Sequence, residues 1–189
     1  MAFVRGFFRF LNRFFMVPVF RLGLGSLQVN PFSGYIMVLK MTGHKTGKTR
    51  FVPVNYAIDG GRVYFLSGLG KKSHWYSNLT ASPAADALLP GRTVHGDVTE
   101  VVDPVERLRM ARRILRAGGF AGFFEGFNPF SCSDERLASG VKAMVLFRLQ
   151  PTGIGAGPSD SGGRAWIILF LLGILICLGL YAILSGAIR

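Results

Sequence analysis

Residues 42–50 read Thr42-Gly43-His44-Lys45-Thr46-Gly47-Lys48-Thr49-Arg50, and residues 67–78 read Ser67-Gly68-Leu69-Gly70-Lys71-Lys72-Ser73-His74-Trp75-Tyr76-Ser77-Asn78. Both segments begin as turns rich in glycine and lysine, and they lie on either side of a predicted pair of strands. Such turns present backbone N–H groups and ammonium charges at the same end of a small sheet. The pattern therefore predicts a site for a phosphorylated or polycarboxylated ligand.

Short strands separated by tight turns extend outward from this hairpin. The predicted strands are 35–42, 49–58, 62–67, 84–89, 92–102 and 141–149. Asp59-Gly60-Gly61 and Pro90-Gly91 are typical hairpin turns. Hairpins with few helices favour a small, mostly antiparallel barrel, so we predict a mainly β fold with short helices rather than a doubly wound sheet.

Three helices are predicted in this region, and one of them has clear end signals. Asp103 is a typical N-cap, Pro104 suits the first helical position, and Glu106 completes a capping box. Gly118-Gly119 ends this helix. Two shorter helices are predicted over 73–81 and 133–139.

The C-terminal segment is apolar without interruption by charge. No charged residue occurs from Ala165 to Ile188, and a bilayer core about 30 Å thick needs roughly 20 such residues in a helix. We therefore predict a transmembrane anchor over 165–188, joined by a flexible linker over 151–164. Because the positive charge lies almost entirely before the anchor, the positive-inside rule predicts a single-pass membrane protein with its catalytic domain in the cytoplasm.

The N-terminal segment is basic and aromatic. Arg5, Arg9 and Arg13 recur every four residues among phenylalanines, and no Asp or Glu precedes Asp59. The pattern predicts a basic amphipathic helix at a membrane surface over residues 1–25; an ordinary helix packed on the domain is the alternative. The net charge of +12 alone would support nucleic acid, and we predict no such partner.

Several common active-site motifs are absent. The turn at 43–49 resembles a phosphate-binding loop, but Thr42 stands where that loop needs glycine, and a strand-like segment with Pro53 follows where a helix is required. The sequence has no Rossmann fingerprint and no G-x-S-x-G elbow. Its two cysteines and three histidines are not spaced as metal ligands, so we predict no metal.

The sequence contains the motifs G-H-K-T-G-K-x-R-x-x-P-x-x-Y and S-G-x-G-x-K-x-H-W-Y-x-N-L, followed by Asp103-Pro104 at a helix start. Together these features resemble the deazaflavin-dependent nitroreductase and quinone-reductase family. The resemblance covers about residues 22–150 and implies a split β-barrel, related to FMN-binding oxidoreductases, over 26–150. The family's usual first turn is Gly-Arg-Lys-Ser-Gly. His44 and Thr46 depart from it, while Lys45 and Gly47 are kept.

The resemblance also implies a set of residues that bind coenzyme F420. Those at its phosphate and polyglutamate tail are Lys45, Thr46, Gly47, Lys48 and Arg50. Those bordering the deazaflavin and ribityl chain are Pro53, Val54, Ser67, Gly68, Leu69 and Gly70. Those closing the pocket are Lys71, Lys72, Trp75, Tyr76 and Asn78.

The implied chemistry is hydride transfer from reduced F420 to a hydrophobic acceptor such as a quinone or a nitro compound. Nitroreductase relatives carry tyrosines where this chain has Phe120, Phe123, Phe124 and Phe127, so Tyr56 and Ser67 become the candidate catalytic proton donors, with solvent as the alternative. A split-barrel protein that binds FMN, haem or a fatty acid without F420 reductase activity is the other open interpretation. The resemblance also implies a homodimer.

Overall fold

The computed structural model describes residues 10–30, 32, 34–119, 128–154 and 165–186. The strands in these ranges form a closed antiparallel barrel in the order β1-β2-β3-β6-β5-β4. They are β1 (Ile36–Thr42), β2 (Thr49–Asp59), β3 (Arg62–Ser67), β4 (Ala84–Leu88), β5 (Thr93–Glu100) and β6 (Val145–Ile154). The predicted hairpins and the mainly β split barrel fit this architecture.

The described helices lie outside the barrel wall or at its ends. They are a π-helical segment (Asn12–Met16), α1 (Val17–Arg21), a 3-10 turn (Gly25–Leu27), a second 3-10 turn (Gly70–Lys72), α2 (His74–Ala81), α3 (Pro104–Ala117), α4 (Asp134–Val141) and α5 (Ala165–Leu184). Asp103 Oδ1 accepts a hydrogen bond from the Glu106 N–H at 2.7 Å, which confirms the predicted cap of α3.

The alternation of side chains along the strands produces the barrel core. Met37, Leu39 and Met41 of β1 point inward together with Tyr56 and Phe65, because successive strand residues face opposite sides. β1 and β2 pair without a bulge from Ile36 opposite Asn55 to Thr42 opposite Thr49. The glycine and lysine turn is therefore fixed at one end of a regular hairpin.

Two helices position the functional end of the barrel. In α2, Leu79 is buried in the barrel core, and Trp75 and Tyr76 pack against it. On the outside, α3 buries Met110 and Ile114 against Tyr64 and Leu146. The Arg107 guanidinium of α3 donates to the carbonyl of Met144 at 2.6 Å, which ties α3 to the chain entering β6.

The predicted transmembrane anchor over 165–188 is wrong. Among the described residues, no helix has the length and apolarity needed to cross a membrane. α5 spans Ala165–Leu184 and so ends before the predicted bound at residue 188. The predicted single-pass membrane location, with the catalytic domain in the cytoplasm, is overturned with it.

The other predicted segments are described in part. Residues 10–21 are helical, and the placement of 1–25 on a membrane surface stays a prediction. β6 continues to Ile154, into the segment predicted as a linker, because its end pairs with Val94 and His95 of β5. Residues 155–164 and the phenylalanine-rich segment 120–127 lie outside the described residues.

Candidate functional site

The turn between β1 and β2 is closed by its own backbone. The Gly43 N–H donates to the Lys48 carbonyl at 2.9 Å, and the Gly47 N–H donates to the Gly43 carbonyl at 2.8 Å. Gly47 has φ +64°, a left-handed conformation that glycine adopts without strain. The turn thus holds Lys45, Thr46 and Lys48 at the end of the hairpin, all exposed.

Asn78 of α2 fastens this turn to the barrel end. Its Oδ1 accepts from the His44 backbone N–H at 3.0 Å and lies 2.8 Å from His44 Nδ1. Asn78 is 7% exposed, so its end of these contacts is buried, which strengthens them. They link two segments that are 34 residues apart in the chain.

We expect Asn78→Ala to lower the free energy of unfolding by about 2 kcal/mol, because the half-buried His44 N–H loses its acceptor. Urea unfolding of the full chain measures this. Asn55→Ala is the matched control, since Asn55 makes one contact to the Tyr35 carbonyl in an exposed position. An equal effect in both variants would contradict the role of Asn78.

The turn, β2 and α2 enclose a cavity of about 390 Å³. Its lining residues are Gly43, His44, Lys45, Thr46, Arg50, Phe51, Val52, His74, Trp75 and Asn78. Five of the predicted cofactor-binding residues line it, namely Lys45, Thr46, Arg50, Trp75 and Asn78. The volume falls in the range of small-molecule sites.

Two cations line this cavity, Lys45 and Arg50, and Lys48 lies on the same turn. Lys45, Lys48 and Arg50 are exposed, and within the described ranges none of them forms an ion pair with an acidic residue. Arg50 Nη2 donates to Thr46 Oγ1 at 3.3 Å. Their charges are therefore available to an anionic ligand.

Lys40, on the same hairpin, differs from these three. Its Nζ lies 2.8 Å from Asp86 Oδ2, and His95 Nδ1 lies 2.7 Å from Asp86 Oδ1. Partial burial raises the pKa of Asp86, but the hydrogen bonds from Lys40 and His95 outweigh this effect and lower it overall. Lys40 therefore forms an ion pair that links β1 to β4.

The cavity lining also includes an aromatic side chain from α2. Trp75 packs with its ring centroid 5.6 Å from Phe147 and 6.0 Å from Phe65. These contacts to the barrel core fix the indole. The wall can therefore hold a flat ring next to the cationic turn.

The second predicted turn lies outside this cavity. The hydroxyls of Ser67 and Ser73 each lie 2.9 Å from the Gly70 carbonyl oxygen, to which they can donate. The two hydroxyl oxygens are 2.9 Å apart. Lys71 Nζ lies 6.0 Å from the centroid of the Tyr76 ring. Gly68, Leu69, Gly70, Lys71, Lys72 and Tyr76 are thus brought to the α2 end of the barrel without lining the cavity.

The two predicted proton donors occupy buried positions that do not line the cavity. Tyr56 is 8% exposed and belongs to the barrel core; burial, reinforced by Tyr35, raises the pKa of its phenol to about 12. Ser67 is 1% exposed, and its hydroxyl is held by Gly70 and Ser73. Pro53 and Val54 are half-buried in β2, beyond the lining residues.

Sequence reasoning omitted Gly43, His44, Phe51, Val52 and His74 from the site. Gly43 and His44 belong to the quoted turn, so the motif itself could have identified them. His74 directly precedes Trp75 at the start of α2. Phe51 and Val52 carry no polar signal, and only the wrapping of β2 around the barrel end brings them to the cavity.

The residues present fit an anionic cofactor that carries a ring system. Three exposed cations lie on the turn and at the start of β2, two of them in the cavity lining, and Trp75 lines the same cavity. Ammonium and guanidinium groups form strong charge-assisted hydrogen bonds with phosphate and carboxylate. Phosphate, carboxylates and a deazaflavin are the groups of coenzyme F420, so this donor set suits it.

Comparison with known proteins agrees with this chemistry. The F420H(2)-dependent quinone reductase family model matches residues 21–118, just over half of the 189-residue chain. No curated protein matches the sequence.

Solved structures similar to this chain include three of low sequence identity. Protein Rv2991 from Mycobacterium tuberculosis has a TM-score of 0.48 and 16% identity, covering 64% of this chain and 75% of its own. An F420 reductase has a TM-score of 0.42 and 21% identity over 66% and 91%. General Stress Protein 26 from Bacillus anthracis has a TM-score of 0.42 and 12% identity over 70% and 89%. On the strength of the family match, the chain belongs to the F420H(2)-dependent quinone reductase family and is an F420-dependent oxidoreductase.

Proposed function

We propose that this oxidoreductase transfers a hydride from reduced F420 to a hydrophobic acceptor such as a quinone or a nitro compound. Its use of F420 follows from the family. One observation supports the proposed site above all others: Lys45, Arg50 and Trp75 line the same 390 Å³ cavity. Bound F420 supplies the hydride chemistry, and the protein supplies orientation and charge.

The roles of the cavity residues follow from their chemistry. Lys45, Lys48 and Arg50 bind the anionic groups, with Thr46 and Gly47 shaping the turn. Trp75 provides a flat wall for the ring, and Asn78 holds the turn in place through His44. Because α2 closes this barrel end, these residues also keep water from part of the ring's surroundings.

The remaining predicted residues support the site from the barrel side in this proposal. Pro53 and Val54 continue β2 below the cavity, while Ser67, Gly68, Leu69 and Gly70 form the turn that leads to α2. Lys71, Lys72 and Tyr76 add charge and surface at the start of α2. In this arrangement the second turn positions the helix that carries Trp75 and Asn78.

Both proposed proton donors, Tyr56 and Ser67, carry a hydroxyl that is protonated at neutral pH. Burial raises the pKa of the Tyr56 phenol to about 12, which makes it a weaker acid than an exposed tyrosine. The Ser67 hydroxyl already donates to the Gly70 carbonyl. Solvent entering the cavity remains the alternative source.

The proposed acceptor is hydrophobic because aromatic side chains are exposed on the N-terminal helical segment. Phe10, Phe14 and Phe15 are 63%, 61% and 56% exposed. They belong to the helical segment that continues into α1, which packs on β1 and β2. An apolar quinone or nitro compound would bury such surface favourably.

The proposed homodimer rests on the resemblance alone. Light scattering of the purified chain measures its oligomeric state.

A tryptophan-quenching titration tests the proposal. The full chain is titrated with F420 and separately with FMN, and the Trp75→Phe variant identifies the signal from the cavity, since Trp166 is the other tryptophan. We expect saturable quenching by F420 in the micromolar range and loss of the quenching signal in the variant. Preferential binding of FMN, or of neither cofactor, would contradict the proposal.

Turnover then tests the acceptor. The full chain is mixed with reduced F420 and either an apolar quinone or a polar ferric chelate, and the absorbance of oxidised F420 is followed. We expect faster oxidation with the quinone. Equal rates would argue against a hydrophobic acceptor while leaving F420 binding intact.

A further inference from the structure

An arginine of the N-terminal helix contacts a residue that lines the cavity. Arg21, the last residue of α1, places its guanidinium 4.9 Å from the centroid of the Phe51 ring. Phe51 itself lines the cavity, between Arg50 and Val52 on β2. Arg21 therefore contacts a cavity residue without lining the cavity itself. It lies on α1, outside the predicted binding motifs.

Packing on the barrel holds this arrangement in place. Phe20 and Val29 are buried against Val38, and Phe51 packs against the same cluster. A guanidinium over an aromatic face is also attracted by the ring's quadrupole. Arg21 is consequently oriented before any ligand arrives.

The charge of Arg21 is available to a ligand. Its side chain is exposed, and across the described part of the chain it forms no ion pair with Asp or Glu. The first 58 residues contain no acidic residue at all. Arg21 therefore adds a positive charge that no described acidic residue neutralises, next to a residue that lines the cavity.

The size of the cavity indicates which part of the cofactor Arg21 would meet. A volume of about 390 Å³ is near the lower end for small-molecule sites. A cofactor with a ring, a ribityl chain, a phosphate and several glutamates extends past such a cavity. Its outermost groups are carboxylates, and Arg21 lies outside the cavity rather than in its lining.

We propose that Arg21 is an outer binding residue for the polycarboxylate tail of the cofactor, held in position by Phe51. This inference rests on the proposed F420 site and extends it to the N-terminal helix. Arg21 would contact the tail of the cofactor and not its ring. Arg21 would therefore affect affinity according to how many carboxylates the ligand carries.

Binding titrations of the full chain test this assignment. Arg21→Gln is compared with the wild type for F420 and for the deazaflavin alcohol that has the same ring and ribityl chain but neither phosphate nor glutamates. We expect about fivefold weaker binding of F420, the size of a favourable surface charge contact. Binding of the alcohol should not change, and Arg21→Lys should recover most of the affinity for F420.

Arg13→Gln is the matched control. Arg13 also lies over an aromatic ring, at 5.4 Å from the centroid of Phe14, but Phe14 is not a cavity residue. The two variants have the same net charge, so a general charge effect would weaken both equally. Thermal unfolding of each variant checks that the exposed substitution leaves the fold intact.

The outcomes separate this inference from the proposed function. F420 binding that is unchanged in Arg21→Gln, or equally weakened in Arg13→Gln, overturns the role of Arg21 alone. An equal loss for F420 and for the alcohol also overturns it, because the tail would not be involved. A wild-type chain that binds no F420 contradicts the proposed function and this inference together.

Discussion

The double variant Lys45→Ala/Lys48→Ala should bind F420 about 100-fold more weakly than the wild-type chain, because each lost charge-assisted contact is worth roughly tenfold. Both ammonium groups are exposed and lack acidic partners within the described residues. Tryptophan quenching measures the change. Because these charges are solvent-accessible, the wild-type affinity should also fall with salt more steeply than that of the variant.

A control with the same loss of charge locates the effect. Arg136→Ala/Lys142→Ala removes two exposed cations at α4, away from the residues that line the cavity. We expect its affinity for F420 to stay within about twofold of the wild type at moderate salt, where distant exposed charges are screened. A comparable loss in both double variants would show that net charge, rather than the β1–β2 turn, attracts the cofactor.

Gly70→Ala should lower the free energy of unfolding by about 3 kcal/mol, through backbone strain and overpacking together. Gly70 has φ +56°, and a Cβ there would overlap the carbonyl oxygen of Ala143. The carbonyl of Gly70 also anchors the hydroxyls of Ser67 and Ser73. Strain at Gly70 would therefore spread to the turn that leads into α2, and urea unfolding measures its cost.

Gly60→Ala separates the two causes. Gly60 has φ +54°, nearly the same conformation, but an added Cβ would meet no atom within 4 Å. We expect Gly60→Ala to cost only about 1 kcal/mol, the penalty for the left-handed backbone. If the two variants lose the same free energy, the close approach of Gly70 to Ala143 has no energetic consequence.

Local signals in the sequence predicted most strands and the capped helix well, whereas the last strand was predicted over 141–149 and runs from Val145 to Ile154. The hairpin turns at Asp59-Gly60-Gly61 and Pro90-Gly91 and the cap at Asp103 act within a few residues. The structure accordingly has β2 at Thr49–Asp59, β3 at Arg62–Ser67 and α3 from Pro104. The transmembrane prediction relied on the apolar composition of a whole segment, and it was wrong, since no helix among the described residues is long and apolar enough to cross a membrane.

The candidate site was only partly predictable. Lys45, Thr46 and Arg50 were recognisable because the residues of a cationic turn are close together in the sequence. Phe51 and Val52 were not, since alternating apolar residues in a strand resemble any other core pattern. Nor could the motif show that Lys71 and Tyr76 would lie outside the cavity that Trp75 and Asn78 line.

By itself, then, the sequence determined the hairpins, the capped helix and the family, because turns, caps and motifs depend on neighbouring residues. Only the tertiary structure decided which side chains share the cavity. Closing the barrel brings Asn78 to His44 across 34 residues and sets Arg21 against Phe51. Such contacts depend on strand order, register and helix packing, which no local pattern of residues specifies.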